Sequence, residues 1–547
     1  MAFRFKNFPY RLLFFIFLFL IFIPFFSFAD EYGEKRIFNV DPNYDYLKRE
    51  RIFAILIKVS QNGYFYVEED WWQALSSFEK EKYAKIVSEL AKEFDTKIYP
   101  TLTTILGQEW KPGIDKDERI TILLHRMKTE VGGYFREADE YEKSISPTSN
   151  QREIIYLNLN FLEDPAIKPY LAHEFTHLIT FNQKNRILNV EEETWLTELR
   201  SEGAPAILGY KEHLEARKNL FLKNPKDSLV EWKNTGSDYG IISMFANYLY
   251  DYYGQKIFSD TLYSTGTSIS AIEEYLKKNN FKENFSDVFR NWAIAVLVED
   301  CSLGEKYCYK NEALKNLKIL PETNFLPLNS ESSLVIFRSL KDWEGDWQRF
   351  IGGYGNLSLE FNGEDRAIFD VSYLLCDKLS KCQIGFLKLD QNQDGKIFIP
   401  DFDKNYSSLT LITFSKTKTS DFEKKLPFYS YSLKISSGKT VGTSLPSTTT
   451  PPVSPKISCT KISNNLKYGM RSPEVKCLQE FLKAQGPEIY PEGLVTGYFG
   501  PLTLAAVKRF QQKYWQEILA PWGLTKDQPT GFVGSTTRSK INQLLSF

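Results

Sequence analysis

Short apolar runs and longer stretches of helical periodicity alternate over the first half of the chain. Residues 53–59, 120–124 and 154–159 are rich in β-branched and other large apolar side chains, which predicts buried strands. Apolar positions recur at helical spacing over residues 79–94 and again over residues 241–253, where the stripe predicts a core helix rather than a site. This part of the chain is therefore expected to contain both strands and helices.

From about residue 330 the pattern changes to short alternating strands. They are predicted at residues 357–361, 368–371, 409–414 and 429–435. Their spacing is typical of a small β-sandwich that ends near residue 438. Residues 439–457 are rich in proline, serine and threonine, the composition of an extended, semi-rigid tether. An independent unit is expected after it, over residues 458–547.

Two more helices are predicted in the middle of the chain. Asp164 and Pro165 supply an N-cap residue and a proline for the first helical turn, so a helix is expected to begin there. A second helix is predicted from Thr194 to about Leu208, with three glutamates directly before it at the positive end of its dipole. Both helices carry the residues from which a site can be built.

The first of these helices contains the sequence HEFTH at residues 173–177. Residues four apart share a helix face, so His173 and His177 can bind one ion while Glu174 leans toward the open coordination position. The pattern also occurs by chance on ordinary helices. The chain has only four histidines, however, and two of them lie in this motif, which favours a metal site.

Glu198 and Glu202 are four residues apart on the second helix. Glu198 is interpreted as the third zinc ligand and Glu202 as the carboxylate that orients a ligand histidine, with the reverse assignment as the alternative. Two solvated glutamates on an acidic helix would be the interpretation without the upstream motif. Three protein ligands leave a fourth position for water, which is typical of a catalytic zinc site.

HEFTH followed by WLTELRSEGA resembles the gluzincin metallopeptidases, in which a glutamate-bearing helix follows the motif helix. The segments GGYF at 132–135, NQREIIY at 150–156, DYG at 238–240 and YLYDYYG at 248–254 are similar to hyicolysin-type members. The resemblance covers about residues 34–320 and implies an α+β zincin-like fold, with Glu198 as ligand. Arg200 and Ser201 depart from it, because the family has small or apolar residues there.

The resemblance implies a zinc endopeptidase, as the ligand set does. Zinc lowers the pKa of bound water to about 7, and Glu174 would take its proton during attack on the scissile carbonyl and return it to the leaving amine. By analogy Tyr239 is the candidate donor to the oxyanion, with Tyr134 and His213 as alternatives. A strand beside the motif helix could bind an extended substrate, and Gly133 would permit close approach.

The last ninety or so residues carry a second resemblance. LKYG at 466–469, VKCLQ at 475–479, TGYFGPLT at 496–503, AVKRFQ at 506–511 and TGFVG at 530–534 resemble the small three-helix peptidoglycan-binding domain. The family implies a wall glycopeptide as ligand. A structural or protein-binding spacer is the alternative. An insertion at about 515–527 departs from the shortest family pattern, so the ligand contacts are not assigned.

A possible calcium loop lies within the predicted β-sandwich. Asp390, Asn392, Asp394 and Asp401 match most of a twelve-residue calcium-binding loop. The last position is aspartate instead of the usual glutamate, and the preceding residues 384–389 predict a strand rather than a helix. A polar hairpin turn is therefore the favoured interpretation, and bound Ca²⁺ is the alternative.

The start of the chain predicts export. Arg4, Lys6 and Arg11 precede an apolar run at residues 12–28, which is typical of a signal peptide cleaved after Ala29. An uncleaved membrane anchor is the alternative. The mature part would have 65 basic and 69 acidic residues, a balance that gives no support to a nucleic-acid partner.

The six cysteines all follow the signal and fit an exported, oxidised protein. Pairing by proximity predicts the disulfides Cys301–Cys308, Cys376–Cys382 and Cys459–Cys477, although six cysteines permit other connectivities and free buried thiols remain the alternative. None of the cysteines stands at zinc-ligand spacing beside the histidines.

Together these observations predict five segments: a signal peptide (1–29), a zinc metallopeptidase domain (30–329), a β-sandwich (330–438), a linker (439–457) and a peptidoglycan-binding domain (458–547). The expected protein is an extracytoplasmic, wall-associated zinc endopeptidase without a membrane anchor after cleavage, acting on protein or peptide. Two alternatives remain open, a hydrolase of peptidoglycan stem peptides and a non-catalytic envelope-binding protein.

Overall fold

The computed structural model of this protein describes residues 30–422, 425–439, 441, 461–486, 488–491 and 493–545. The predicted signal peptide, most of the predicted linker and Cys459 lie outside the described residues. The chain divides into two compact units, Met1–Ser444 and Leu445–Phe547. Among the helices described, none combines the length and the apolar character that crossing a membrane requires.

A six-stranded mixed sheet opens the first unit. Its strands are β1 (Lys35–Asn39), β2 (Arg51–Val59), β3 (Gly63–Glu68), β4 (Ile120–His125), β5 (Gly133–Phe135) and β6 (Ile154–Asn158). The spatial order is β1-β2-β3-β4-β6-β5, in which β3, β4 and β6 run parallel and β5 is an antiparallel edge strand. The strands predicted at 53–59, 120–124 and 154–159 are confirmed as β2, β4 and β6.

Ten helices of the described chain accompany this sheet. They are α1 (Glu69–Ala74), α2 (Ser77–Glu93), α3 (Tyr99–Leu106), α4 (Ile167–Thr180), α5 (Thr194–Leu208), α6 (Leu214–Lys223), α7 (Gly236–Tyr253), α8 (Lys256–Tyr263), α9 (Ser268–Lys278) and α10 (Phe285–Val298). The predicted helices at 79–94, 194–208 and 241–253 are confirmed as α2, α5 and α7. Helix α4 begins two residues later than Pro165, because the Asp164 carboxylate accepts a hydrogen bond from Ala166 N at 2.8 Å in a turn that precedes the helix.

The sheet is covered on both faces, which explains why its central strands are apolar throughout. Phe65, Ile122 and Leu157 on one face join the main core with Leu171 and Phe175 of α4. Tyr64, Leu123, Tyr134 and Tyr156 on the other face form a smaller cluster with Phe38 near the N-terminus. Alternate residues of a strand point to opposite faces, so a strand buried on both faces shows no polar alternation.

Two sheets follow the helices, one antiparallel and one mixed. Their strands are β7 (Glu322–Leu326), β8 (Ser332–Leu340), β9 (Asp346–Gly352), β10 (Asn356–Gly363), β11 (Phe369–Asp377), β12 (Cys382–Phe386), β13 (Asp394–Ile399), β14 (Tyr406–Ser415) and β15 (Tyr429–Gly438), with a short helix α11 (Phe402–Asn405). The orders are β13-β10-β15-β8 and β12-β11-β14-β9-β7, with β7 and β9 parallel. Side chains from both sheets share one core that includes Leu359, Leu411 and Leu433.

The five-stranded sheet and the loop before it pack against helix α10 through apolar and polar contacts. The Trp343 ring lies 5.5 Å from that of Phe289, and Trp347 Nε1 donates a hydrogen bond to Ala293 O at 3.0 Å. Arg290 of α10 binds the Asp370 carboxylate through two nitrogens, at 2.8 and 2.6 Å. The sheets of residues 322–438 therefore belong to the same compact unit as the helices.

The disulfides Cys301–Cys308 and Cys376–Cys382 are present, with Cα atoms 5.1 and 4.0 Å apart, and confirm two of the three predicted pairs. The pairing predicted for Cys477 with Cys459 lies outside the described residues. Both observed bridges close short loops in the first unit, as pairing by proximity predicted.

The structure separates the residues of the predicted calcium loop. Asp390 Oδ1 accepts hydrogen bonds from the backbone nitrogens of Asn392 and Asp394, at 2.8 and 3.0 Å, which is the geometry of a tight polar turn. Asp401 lies beyond the far end of the extended strand β13, where it pairs with Lys404 at 2.8 Å. The contacts support the favoured turn, and calcium binding by these residues stays an alternative.

The second unit is helical. Its described helices are α12 (Pro473–Ala484), α13 (Pro501–Lys513), α14 (Trp515–Ile518) and α15 (Ser535–Leu545). Leu478, Val507 and Phe510 lie in its core. The residues that depart from the shortest family pattern form α14 and a 3-10 turn at Ala520–Trp522.

Two glutamines fix the turns of this unit in the same way. Gln479 Nε2 donates to Tyr498 O at 2.8 Å and its Oε1 accepts from Gly497 N at 2.8 Å. Gln511 makes the same two bonds at the second Thr-Gly turn. Its Nε2 donates to Phe532 O at 2.9 Å, and its Oε1 accepts from Gly531 N at 2.8 Å. Buried polar side chains need such partners, so the repeated Thr-Gly turns are held by the helix before each of them.

Two buried carboxyl groups face each other in front of β4 and β6. Glu140 and Glu153 are each 2% exposed, and neither oxygen of Glu140 has a hydrogen-bond partner among the described residues. Burial, followed by the charge of Glu153, raises the pKa of Glu140 well above its usual range, and burial raises the pKa of Glu153 to about 8. The folded protein then holds protons that the unfolded chain has lost, so the free energy of unfolding falls as the pH rises from about 4.5 to 8.

We expect Glu140→Gln to raise the free energy of unfolding at pH 8 by about 1–3 kcal/mol, because its amide can donate to the Glu153 carboxylate and a buried repulsion is removed. At pH 5 the gain should be small, since the wild-type pair is protonated there. Urea unfolding at the two pH values measures the effect, with the exposed Glu142→Gln as control. Equal gains at both pH values would contradict the assignment.

Candidate metal centre

Helices α4 and α5 bring together two histidines and one glutamate that are distant in sequence. His173 Nε2 and His177 Nε2 are 3.1 Å apart, and Glu198 Oε2 lies 3.3 Å from the first and 3.6 Å from the second. One ligand atom from each residue lies within 4.8 Å of the others. His173 and Glu198 are buried, at 6% and 9% exposure. The two helices therefore present two nitrogens and one oxygen to a common point.

The chemistry of this set fits a zinc ion. Two imidazole nitrogens and a carboxylate oxygen are ligands that zinc prefers, and Glu198 Oε2 has no hydrogen-bond donor among the described residues. Burial by itself would raise the pKa of Glu198, but His177 and His173 lower it to about 2. Glu198 is therefore held as a carboxylate, the form in which it binds a metal.

Glu174 points toward the same place from the motif helix and touches the edge strand β5. It is 5% exposed, and burial raises the pKa of its carboxyl group. A Cβ atom at Gly133 would lie 2.9 Å from Cγ of Glu174 and 2.7 Å from Tyr156 O, closer than a real side chain approaches. Glycine is thus required at this position, as expected, and the edge strand runs directly beside the candidate base.

Glu202 lies behind the histidine ligands. Its Oε1 is 3.3 Å from His173 Nδ1 and 2.6 Å from the guanidinium of Arg217, and its Oε2 is 3.6 Å from His213 Nε2. Burial opposes ionisation, but Arg217 and His173 hold the pKa of Glu202 well below its usual range. A carboxylate this close to Nδ1 can orient the His173 ring and favour the tautomer that leaves Nε2 free for a metal.

We expect Glu202→Gln to weaken zinc binding by about 10–100-fold, because a carboxamide orients the His173 ring less strongly than a carboxylate does. Competition with a fluorescent zinc chelator would measure the change. Glu215→Gln, at an exposed position on the neighbouring helix α6, is the control. Unaltered zinc affinity in Glu202→Gln would show that Glu202 does not act through His173.

Arg200, at which the chain departs from the gluzincin pattern, is fully buried on helix α5. Its guanidinium binds Glu192 Oε2 at 2.7 Å and Thr261 O at 3.2 Å, and Lys184 joins the same carboxylate at 3.3 Å. Of the three glutamates before α5, Glu192 therefore anchors the start of the helix by buried ion pairs. Arg200 does not take part in the cluster of ligand atoms.

The three candidate oxyanion donors lie in different surroundings. The Tyr239 ring is 6.3 Å from that of His173, and its hydroxyl donates to Asn234 Oδ1 at 3.1 Å. The Tyr134 hydroxyl accepts from Asp41 N at 3.2 Å in the cluster on the other face of the sheet. His213 contacts Glu202 behind the ligands. Tyr239 alone of these three borders the histidine ligands directly.

Several contacts near the centre carry no signal in the sequence. Arg217 binds Glu202 from helix α6 and also lies 4.7 Å above the Tyr239 ring. Phe135 of the edge strand stacks parallel to the His177 ring, with centroids 6.5 Å apart. Tyr44 and Asn234 are hydrogen-bonded to each other across 190 positions of sequence. No motif spacing links these positions, so only the packed structure could identify them.

Comparisons with known proteins match two regions of the chain. The family described as a putative peptidoglycan binding domain matches residues 471–514. The chain is similar to the neutral metalloprotease ShpI of Staphylococcus hyicus, with 27% identity over 247 residues, covering 39% of this chain and 53% of that protein. The chain thus spans about half the length of the curated relative that it matches.

Two solved structures resemble small parts of the chain. They are the pre-peptidase C-terminal domain of a collagenase from Bacillus anthracis, at 13% identity, and a periplasmic inhibitor of g-type lysozyme from Aeromonas hydrophila, at 10%. Each covers 21% of this chain, and they cover 96% and 98% of their own chains with TM-scores of 0.15. TM-scores of this size do not establish a shared fold. The sequence relationships show that this chain joins a region similar to a neutral metalloprotease to a peptidoglycan-binding domain.

Proposed function

We propose that this protein is a zinc-dependent endopeptidase that is retained at the bacterial cell wall. The convergence of His173, His177 and Glu198 on one point, with the buried Glu174 beside it, is the observation that carries the proposal. Similarity to a neutral metalloprotease and the peptidoglycan-binding match support it. Export and an extracytoplasmic location, expected from the N-terminal residues, complete the proposal.

In this proposal His173, His177 and Glu198 hold the ion and Glu202 orients His173. Bound zinc would supply Lewis acidity, which polarises a carbonyl and makes water acidic near neutral pH. Glu174 accepts the proton of the attacking water at a carboxylate oxygen and then gives it to the leaving nitrogen. The raised pKa of Glu174 suits both steps, because burial shifts the pKa of its carboxyl group toward neutral pH. Tyr239 is the sequence-based candidate for a donor to the oxyanion.

The substrate is proposed to be a polypeptide in an extended conformation. The edge strand β5 has one side without a strand neighbour in the sheet, and Gly133 lies against Glu174. A peptide that pairs with this edge would bring its backbone past the ligand cluster. The Phe135 ring beside His177 offers an apolar surface to one substrate side chain.

The C-terminal unit is proposed to keep the enzyme near its substrates without selecting the bond that is cut. Its exposed rings include Tyr468, Trp522 and Phe532, at 54%, 65% and 41% exposure. Exposed aromatic side chains of this kind are typical of binding surfaces. A tether between the two activities raises the local concentration of the enzyme at the wall. The boundaries proposed are those given by the sequence, with the peptidase at 30–329 and the binding domain at 458–547.

The test combines metal analysis with two substrates. Purified full-length protein is expected to contain about one zinc per chain, to digest casein, and to lose this activity with 1,10-phenanthroline and regain it with zinc. It should also sediment with purified peptidoglycan. Release of soluble stem peptides from walls, without casein digestion, would instead favour the muralytic function. Zinc-loaded protein that cleaves neither substrate would overturn the proposal in favour of a non-catalytic envelope protein.

A further inference from the structure

One tryptophan of the C-terminal unit is open to solvent. The chain has ten tryptophans, all of them among the described residues. Nine are buried or half-buried, whereas Trp522 is 65% exposed. Tryptophan side chains are on average highly buried in folded proteins, because apolar surface in water is costly. A single exposed apolar side chain needs no explanation by itself, so the orientation of this ring decides what it can do.

The exposed ring is held from behind. Trp522 Nε1 donates a hydrogen bond to Thr536 Oγ1 at 3.0 Å, and that hydroxyl donates to Ile518 O at 3.0 Å. The turn that carries the ring is closed by Trp522 N, which donates to Leu519 O at 2.9 Å. Ile518 and Leu519 are buried in the core of the unit. A ring that is already ordered loses little conformational entropy when a ligand binds, unlike an ordinary exposed side chain.

This ring belongs to the insertion that departs from the shortest family pattern. The segment that matches the peptidoglycan-binding family ends at residue 514, before Trp522. Ile518 and Leu519 nevertheless pack in one core with Phe510 of the matched segment. A second exposed ring, Phe532 at 41% exposure, precedes helix α15, the helix that also supplies Thr536. The insertion therefore adds a surface of its own to a peptidoglycan-binding unit.

The chemistry around the ring distinguishes between the two parts of peptidoglycan, its glycan chains and its stem peptides. Ala520, Pro521 and Gly523 flank the ring along the chain and Thr536 holds it, and none of them is charged. Stem peptides carry carboxylates, which proteins typically bind with Arg or Lys. The faces of a sugar ring are lined by C–H groups, which pack on the electron-rich face of an aromatic ring. A fixed, flat and uncharged surface therefore fits a sugar ring.

We propose that Trp522 is a stacking platform for a sugar ring in the glycan chain of peptidoglycan, at a place outside the segment that matches the family. The inference rests on the proposed retention at the wall and names the part of the wall that the insertion contacts. Binding to the glycan involves no covalent step. It also leaves the peptides of the wall and nearby proteins accessible to the peptidase.

Trp522→Ala is expected to lower the affinity of the full-length protein for purified peptidoglycan and for a hexamer of N-acetylglucosamine by about tenfold or more, because buried tryptophan contacts carry much of the energy of an interface. Sedimentation and calorimetry measure the two affinities, with 1,10-phenanthroline present so that the wall is not cut. Thr536→Val removes the acceptor for Nε1 and should lower both affinities less. Phe325→Ala, which removes an exposed ring from the first unit, is the control and should bind as wild type does.

The inference is overturned if Trp522→Ala binds walls and the hexamer as wild type does. It is also overturned if this variant loses affinity for free stem peptides and keeps its affinity for the hexamer. If Trp522→Ala does not fold, fluorine NMR of wild type labelled with 5-fluorotryptophan decides. The signal that is missing in Trp522→Phe should move when the hexamer is added, and an unmoved signal overturns the inference. Wild type that does not bind walls removes the proposed wall retention itself, a different result from wall binding that survives in Trp522→Ala.

Discussion

Glu174→Gln is expected to lower kcat for peptide hydrolysis by about 10²–10⁴-fold, the usual contribution of a positioned acid and base. Glutamine has nearly the same shape but cannot take a proton from water or return one to the leaving amine. The contacts of Glu174 with the edge strand at Gly133 should persist, so the fold and the ligand cluster should be unaffected. Steady-state kinetics on a peptide library, with zinc content measured in the same preparation, checks this result.

The control for this variant is Glu163→Gln, which removes an exposed carboxylate just ahead of the motif helix. It should leave kcat and zinc content unchanged. Full peptidase activity in zinc-loaded Glu174→Gln would remove Glu174 as the base. Loss of zinc together with activity would instead show that Glu174 contributes to metal binding.

Glu198→Ala is expected to abolish activity by a different route, through loss of the metal. Glu198 supplies the only carboxylate oxygen of the ligand cluster in the described chain, on a helix separate from the histidines. Its removal should weaken zinc binding by more than the roughly 10–100-fold that loss of an outer partner costs. It should also remove the stabilisation by zinc, which for wild type reaches about 2.7 kcal/mol when free zinc is a hundredfold above Kd.

Thermal unfolding with and without zinc, together with metal analysis, measures this effect. Wild type should melt at a higher temperature in zinc, and Glu198→Ala should show little shift. Glu191→Ala, at an exposed position before the same helix, is the control and should behave as wild type. A zinc-induced shift of wild-type size in Glu198→Ala would mean that the ion binds elsewhere.

The ligand set could be predicted from the sequence because its geometry is mostly local. His173 and His177 share a helix face wherever that helix packs, and Glu198 lies at the start of a helix whose limits match its sequence pattern. Local spacing also operates in the C-terminal unit, where Val507 and Phe510 lie three residues apart on α13 and are both buried. The possible calcium loop is less local, because strand β13 separates Asp390 and Asn392 from Asp401.

Sequence by itself determined which residues can bind a metal, approximately where the helices that carry them lie, and that a peptidoglycan-binding unit follows. These properties depend on residues only a few positions apart. Because a helix or strand is periodic, residues at such spacings lie on the same face of it. Tertiary structure alone decided that Arg217 supports Glu202, that Gly133 lies against Glu174, and that Asn234 joins Tyr44 to Tyr239. Contacts between residues so far apart in the chain arise from the packing of whole elements on one core, and no local pattern specifies them.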